Sequence, residues 1–284
     1  KRLEAPRSGV GLRSDSVAQR PLAWIVALTL FAWVVASPIA VAQSAPRAKS
    51  RYKQLPPPGI EINADVREKL TDRLQAVSES LEKLVANSNE ATGWRVEIDV
   101  LTRAVRLALD QDLFFKKSHI SAANDLLDEA EHRIDLAAVG ARGLELLGFD
   151  PKKNSAPQPL VGGVISRIDD SVQPYGLVLP AGFTLDQAKM PMRMDVFLHG
   201  RGDTKTEVPF LAERSSKLGL YSPEQTVVLH PFGRHCNAFK FAGETDVYEA
   251  IENAMTLFNV DEQRVSIRGF SMGGAGCWHF AVHD

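Results

Sequence analysis

The sequence predicts an α/β protein in which a mainly parallel sheet follows a helical region. Between residues 61 and 148, apolar residues recur at intervals of three and four, which is typical of amphipathic helices. After about residue 160, short β-branched runs alternate with a helical stretch and end in polar, glycine-containing loops. Strands that alternate with helices indicate a parallel sheet, whose active sites gather at the carboxyl ends of the strands.

The first 42 residues have the three parts of a secretory signal peptide. Arg13 and Arg20 precede the apolar run 22–36, and Ala40 and Ala42 have the spacing of a cleavage site. We expect cleavage after Ala42 and export to the periplasm or the extracellular space. A retained membrane anchor is the alternative, because residues 22–42 are roughly long enough to span a bilayer. Pro38 and the small residues beside it favour cleavage.

Composition excludes few functions. The chain has 33 basic and 35 acidic residues. Residues 1–42 contain five of the basic and two of the acidic ones, so 28 basic and 33 acidic residues remain after cleavage. This mild acidity argues against nucleic acid as a partner. A membrane partner is expected only if the signal segment is retained.

The chain starts at Lys1 without a methionine and stops within an apparent helix, so we expect it to be a piece of a longer protein.

Residues 43–60, rich in proline and small residues, are predicted to be a linker, and residues 61–150 a helical region. Asn63 is the candidate N-cap of the first helix, and Gly148 the predicted stop of the third. His119 and His132 are isolated in this region, so we expect no metal site there. The three apolar stripes contain Val66, Leu70, Leu74, Val77, Leu81 and Leu84, then Trp94, Ile98, Leu101, Val105 and Leu109, then Leu127, Ala130, Ile134, Ala137, Ala141 and Leu144.

Residues 151–284 are predicted to contain the sheet. A linker at 151–159 precedes strands over 161–168, 175–179, 194–198, 226–229 and 265–268. A helix is expected over 246–258, opened by Asp246 with Glu249 as a capping box.

The most informative motif follows the last of these strands. Gly269, Ser271 and Gly273 fit G-x-S-x-G, with a β-branched strand before them and small residues that can open a helix after them. That context predicts a nucleophile elbow, a turn so tight that the serine takes strained backbone angles and stands exposed at the top of the sheet. The alternative is a glycine-rich turn in which Ser271 only caps a helix.

Together with the loop 199–203 and the strand 173–177, this motif resembles an α/β-hydrolase. More narrowly, residues 160–284 resemble the esterases and prolyl-oligopeptidase-like serine hydrolases of exported bacterial enzymes. The resemblance implies that residues 151–284 are the N-terminal part of an α/β-hydrolase domain, with Ser271 as the nucleophile. It also implies oxyanion donors in the backbone N–H groups of Met272 and Arg201. No cofactor and no metal is implied.

The resemblance further implies that a catalytic acid and then a histidine follow the serine, beyond Asp284. His279 and His283 lie on the helix of the elbow itself, too near in sequence to reach back over Ser271. Two roles are open for His235, in the lining of the pocket or in the structure of its loop. Without its base, the 284-residue chain is expected to be inactive.

Three functions remain open on the sequence alone. The first is an exported hydrolase that cleaves carboxylic esters, of small molecules or of polysaccharides, through an acyl-serine intermediate. The second is a peptidase of the prolyl-oligopeptidase type. It is disfavoured because residues 61–150 are helical where those enzymes have a propeller, and because residues 199–208 contain no tyrosine for the oxyanion site. The third is a non-catalytic binding protein.

Cys236 and Cys277 could pair in an exported protein, although their spacing does not require it.

Overall fold

Three helices precede the sheet in the computed structural model, which describes residues 54–88 and 93–283. Helix α1 is Ala64–Ala86, α2 is Val96–Asp110 and α3 is Lys117–Ala138. Asn63 caps α1 as predicted, since its side-chain oxygen accepts a hydrogen bond from the Asp65 N–H at 2.8 Å. Residues 1–42, the predicted signal peptide, lie outside the described residues. No helix in the described part of the chain is long and apolar enough to cross a membrane.

The predicted end of the third helix is wrong. Helix α3 stops at Ala138, ten residues before Gly148. Gly140 lies just after its C-terminus with φ of +93°, in the left-handed region that glycine adopts at low cost. Gly148 has the same φ but follows a separate turn, in which the Gly148 N–H donates to the Glu145 carbonyl. The apolar spacing continues past Ala138 because Leu144 and Leu147 are also buried, against the sheet.

The sheet has five strands in the order β1-β2-β4-β3-β5. Strands β1 and β2 form an antiparallel hairpin, β2 is antiparallel to β4, and β3 is parallel to both β4 and β5. This mixed order, with the tight turn into a helix after β5, is that of the α/β-hydrolase fold. The strands are Gln158–Ile165, Val172–Leu179, Met192–Leu198, Thr226–Pro231 and Val260–Gly269.

Three helices are interleaved with the strands. Helix α4, Glu207–Arg214, follows β3; α5, Ala242–Leu257, lies between β4 and β5; and α6, Met272–His283, follows β5. Short 3-10 helices cover Gly93–Arg95, Pro151–Lys153 and Gln187–Lys189. The consecutive parallel strands are thus connected through helices, β3 to β4 through α4 and β4 to β5 through α5, as the chain requires when it returns to the same end of a sheet.

The predicted capping box of the second interleaved helix, α5, is also wrong. Helix α5 begins at Ala242, four residues before Asp246, and its N-cap residue Phe241 makes no side-chain cap bond. Asp246 and Glu249 lie inside the helix and are buried. Their carboxylates bind loop residues instead, because Arg234 donates to Asp246 at 2.7 Å and the Arg167 N–H donates to Glu249 at 2.9 Å.

The helical region packs directly on the sheet. Side chains of α1, α2 and α3 share one hydrophobic cluster with Val161 of β1 and with Val208 and Leu211 of α4. Arg133 of α3, only 1% exposed, strengthens this junction by donating to the Glu97 carbonyl at 2.7 Å and to the Val161 carbonyl at 3.0 Å. A second hydrophobic cluster lies between the sheet and the helices α5 and α6. All of these elements belong to one compact unit.

Candidate active site

Ser271 lies on an abrupt turn between β5 and α6. The strand ends at Gly269 and the helix begins at Met272, so only Phe270 and Ser271 connect them. Ser271 has φ of +53° and is exposed. A non-glycine residue in the left-handed region stores about 1–3 kcal/mol of strain, which persists only where the surrounding structure imposes it. Such strain at an exposed serine is typical of a functional turn.

The glycines of the motif permit two very close backbone contacts. A Cβ added at Gly269 would lie 2.2 Å from the Gly273 oxygen, and one added at Gly273 would lie 2.0 Å from the Leu198 oxygen at the end of β3. Real Cβ atoms do not come this close to backbone atoms, so a side chain at either position would push α6 away. The glycines therefore seat the start of α6 directly against β5 and β3.

The first turn of α6 leaves donors near Ser271. The Gly273 N–H donates to the Phe270 carbonyl at 2.9 Å, and the Ala275 N–H donates to the Ser271 carbonyl at 3.2 Å. The Met272 N–H belongs to the first helical residue and, like the first N–H groups of any helix, has no partner within the helix. The helix dipole also favours negative charge at this end. The turn therefore provides a backbone donor and a positive potential beside the hydroxyl.

The loop after β3 lies against the same turn. The Phe270 N–H donates to the Leu198 carbonyl at 3.1 Å, and a Cβ at Gly200 would meet the Phe270 ring at 3.0 Å. Arg201 follows in this loop, and its guanidinium is held by Asp203 at 2.7 Å. The structure thus brings together the elbow and the loop in which the sequence predicts the second oxyanion donor.

His199 is anchored in this loop by contacts with two backbone carbonyls. Its Nδ1 lies 2.9 Å from the Gly200 carbonyl and its Nε2 lies 3.0 Å from the Phe232 carbonyl. Burial lowers the pKa of His199, which favours the neutral ring. A neutral imidazole has one N–H, so it can donate to only one of the two carbonyls at a time. Its position suits it to hold the loop in place.

A cavity of about 600 Å³ adjoins the loop and the elbow. Gly200, Arg201 and Phe270 contribute to its wall, whereas Ser271 does not. His230 of β4 also lines the cavity; it is 3% exposed, and its Nε2 has no hydrogen-bond partner among the described residues. Burial, and then the nearby Arg214 charge, lower the pKa of His230 to about 3. The sequence could not predict this cavity, because its walls come from segments far apart in the chain.

No histidine in the described part of the chain is hydrogen-bonded to the Ser271 hydroxyl. His235 contacts the Lys205 carbonyl through Nδ1 at 3.2 Å and does not line the cavity. His279 and His283 lie along α6 and contact Glu244. His119 is buried, with the Phe115 N–H 3.4 Å from its Nδ1. These residues therefore do not provide a general base in this arrangement.

The two cysteines do not form a disulfide. Cys236 and Cys277 are both free and only partly buried.

Comparisons with known proteins give structural similarity alone. No protein-family model matches the chain, and no curated protein is similar to it in sequence. Solved structures that align with part of the chain include a thermostable esterase, at 22% identity and a TM-score of 0.33 over 44% of this chain and 38% of that one.

Two further structures align over a similar part of the chain. An S-formylglutathione hydrolase from Agrobacterium tumefaciens aligns at 17% identity and a TM-score of 0.30, over 46% of this chain and 55% of that one. Oligopeptidase B from Trypanosoma brucei aligns at 14% identity and a TM-score of 0.29, over 45% of this chain and 18% of that one. The chain thus spans about half or less of the length of these proteins. The fold assignment stands on the sheet order and on the turn at Ser271.

Proposed function

We propose that this protein is a serine hydrolase that cleaves carboxylic esters, with Ser271 as its nucleophile. The observation that carries the proposal is the strained, exposed position of Ser271 between the end of a strand and the start of a helix. In the first step the Ser271 Oγ bonds to the ester carbonyl carbon while its proton passes to a general base. The bond to the alcohol oxygen then breaks, and the alcohol leaves with that proton. Water subsequently releases the acid and restores the serine.

The backbone N–H groups of Met272 and Arg201 are the proposed oxyanion donors. The first is supported by its place in the opening turn of α6, and the second by the contact between its loop and Phe270. Negative charge develops on the carbonyl oxygen when Ser271 attacks, and fixed backbone donors stabilise this charge without reorganising. Loss of one such donor typically costs about two to three orders of magnitude in rate.

The reaction also needs a base and an acid to orient it. The described residues bring neither to Ser271, and the family order of serine, acid and histidine places both after Asp284 in sequence. We therefore expect the 284-residue chain to show no serine-dependent turnover, whereas a longer product that includes those residues is active.

Esters are preferred to peptides as the substrate class. A helical region packs on the sheet, whereas prolyl oligopeptidases have a propeller beside the catalytic domain, and the loop 199–208 contains no tyrosine. The proposed substrates are esters of small molecules or of polysaccharides, and residues 1–42 support export of the enzyme. Some structures of similar arrangement are ferulic acid esterases, which is compatible with this class.

The test compares chromogenic acyl esters with proline-containing peptides, using the complete product of the gene and the 284-residue chain in parallel. We expect ester turnover by the complete product, and loss of at least about a thousandfold in kcat/KM in Ser271→Ala. Ser80→Ala is the matched control, because Ser80 is exposed on α1 and bonds only the Ala76 carbonyl.

Three results would contradict the proposal. Ester turnover that survives Ser271→Ala would exclude the nucleophile. Cleavage of the peptides with no ester turnover would favour the peptidase. Absence of both activities in the complete product would favour a binding protein.

A further inference from the structure

Two histidines and a carboxylate meet where helices α5 and α6 pack together. His279 and His283 are one turn apart on α6, and Glu244 lies in the first turn of α5. The His279 Nε2 is 2.9 Å from one carboxylate oxygen of Glu244, and the His283 Nδ1 is 3.3 Å from the other. One nitrogen or oxygen from each residue lies within 4.8 Å of the others. The active-site proposal uses none of these side chains.

These separations suit a small tetrahedral ion. Zinc binds histidine nitrogen and carboxylate oxygen at about 2.0–2.2 Å, so the ligand atoms of a tetrahedral site lie about 3.3–3.5 Å apart. The separation of His283 Nδ1 from Glu244 has this length at 3.3 Å, and that of His279 Nε2 from Glu244 is shorter, at 2.9 Å. Small rotations of Glu244 and of the exposed His283 would admit the ion, which would replace the proton shared in each hydrogen bond.

We propose that Glu244, His279 and His283 form a site for a divalent transition-metal ion, with Zn²⁺ as the best fit. Two imidazoles and one carboxylate favour zinc, copper and nickel over magnesium and calcium, which prefer oxygen ligands. A fourth position would remain for water. The ion would connect α5 to α6, the helix that begins beside Ser271. This site stands whether or not Ser271 is a nucleophile, because no residue is shared.

The first experiment is a titration of the tag-free, chelator-treated protein with ZnCl₂ by isothermal calorimetry. We expect one equivalent of zinc to bind, and the apparent Kd to rise by about a hundredfold or more in His283→Ala and in Glu244→Gln. His283 is half exposed, so its replacement leaves the fold intact. His132→Ala is the matched control, since His132 is exposed on α3 and isolated, and it should bind zinc as the wild type does.

Cobalt separates this site from binding by the cysteines. Co²⁺ in the proposed site should give the visible absorption of a tetrahedral complex without a thiolate charge-transfer band, and Cys277→Ser should leave the spectrum unchanged. Zinc should also raise the Tm of the wild type but not that of His283→Ala. The proposal is overturned if zinc does not bind stoichiometrically, if His283→Ala and Glu244→Gln bind it normally, or if the spectrum depends on Cys277.

Discussion

At the residue scale, the turn at Ser271 depends on the absence of a side chain at the two neighbouring glycines of the motif. The backbones of β5, β3 and α6 come so close at Gly269 and Gly273 that a single methyl group would not fit at either position. The resulting φ of +53° at Ser271 is a strain that the packing imposes. The serine is thus exposed because its neighbours are seated tightly.

Two adjacent glycines provide a test of this contact. Gly273→Ala should lower the free energy of unfolding by about 2–3 kcal/mol or more, because its Cβ would overlap the Leu198 carbonyl. Gly274→Ala is the control: its Cβ would lie 3.7 Å from the Gly269 oxygen, an ordinary contact, and alanine is the better helix former. Urea unfolding should show the control unchanged or stabilised by up to about 1 kcal/mol. Equal stability of the two variants would refute the argument.

At the scale of elements, the contact between α3 and the sheet depends on one buried arginine. Arg133 spans three segments, because it binds the carbonyls of Glu97 in α2 and Val161 in β1 and the carboxylate of Glu129 in its own helix. Its guanidinium donates to two carbonyls that belong to neighbouring segments. It therefore links the helical region to the first strand.

Removing this arginine should weaken that link. Arg133→Met keeps most of the side-chain volume but leaves both carbonyls without their donor, so we expect a loss of about 3 kcal/mol or more in the free energy of unfolding. Arg106→Met is the control, since Arg106 is exposed on α2 and its guanidinium bonds only Ser78. It should change stability by less than about 0.5 kcal/mol. Similar losses in the two variants, measured by urea unfolding, would contradict the proposed role.

At the scale of the whole molecule, the junction of helices and sheet contains a titrating carboxyl. Glu97 is buried beneath β1 and accepts a hydrogen bond from the Gly163 N–H at 2.9 Å. Burial raises the pKa of Glu97 to about 7, although the Gly163 bond and the Arg133 charge oppose the rise. The folded protein therefore keeps the Glu97 proton up to a higher pH than the unfolded chain does.

The sign of the pH effect follows from this difference. Between the ordinary carboxyl pKa near 4.5 and the folded value of about 7, the unfolded chain has lost a proton that the folded protein retains. Stability contributed by Glu97 is thus present below about pH 4.5 and is lost as the pH rises to 7, by on the order of 3 kcal/mol. Urea unfolding at pH 5 and 7.5 should show this loss in the wild type relative to Glu97→Gln.

Comparison with Glu97→Gln is needed because three histidines act in the opposite direction. Burial lowers the pKa values of His119, His199 and His230, so all three favour the folded state as the pH rises through the ordinary histidine range. Their effect is common to both proteins and cancels in the difference. A difference between wild type and variant that stays constant from pH 5 to 7.5 would show that Glu97 has an ordinary pKa.

The features that could be predicted from the sequence are those that local patterns determine. The elbow follows from glycine spacing over five residues, and the Asn63 cap from one side chain that binds the backbone two residues on. The end of α3 and the start of α5 were mispredicted because tertiary contacts decided both. Leu144 continued the apolar spacing from outside the helix, and Asp246 looked like a cap although Arg234 binds it. The Glu244 cluster could not be predicted from local patterns, because His279 and His283 lie 35 and 39 residues from Glu244 in the sequence.

The seating of Gly273 on Leu198 also bears on how this protein can change over evolution. The contact joins backbone to backbone, so no side chain takes part in it. Substitutions elsewhere can change the volume of the core and the stability of the protein, but they do not directly change the angle at which α6 leaves β5. Substitutions in the surrounding sequence therefore have little effect on the position of Ser271. The residues that line the neighbouring cavity can change in evolution while the serine keeps its place.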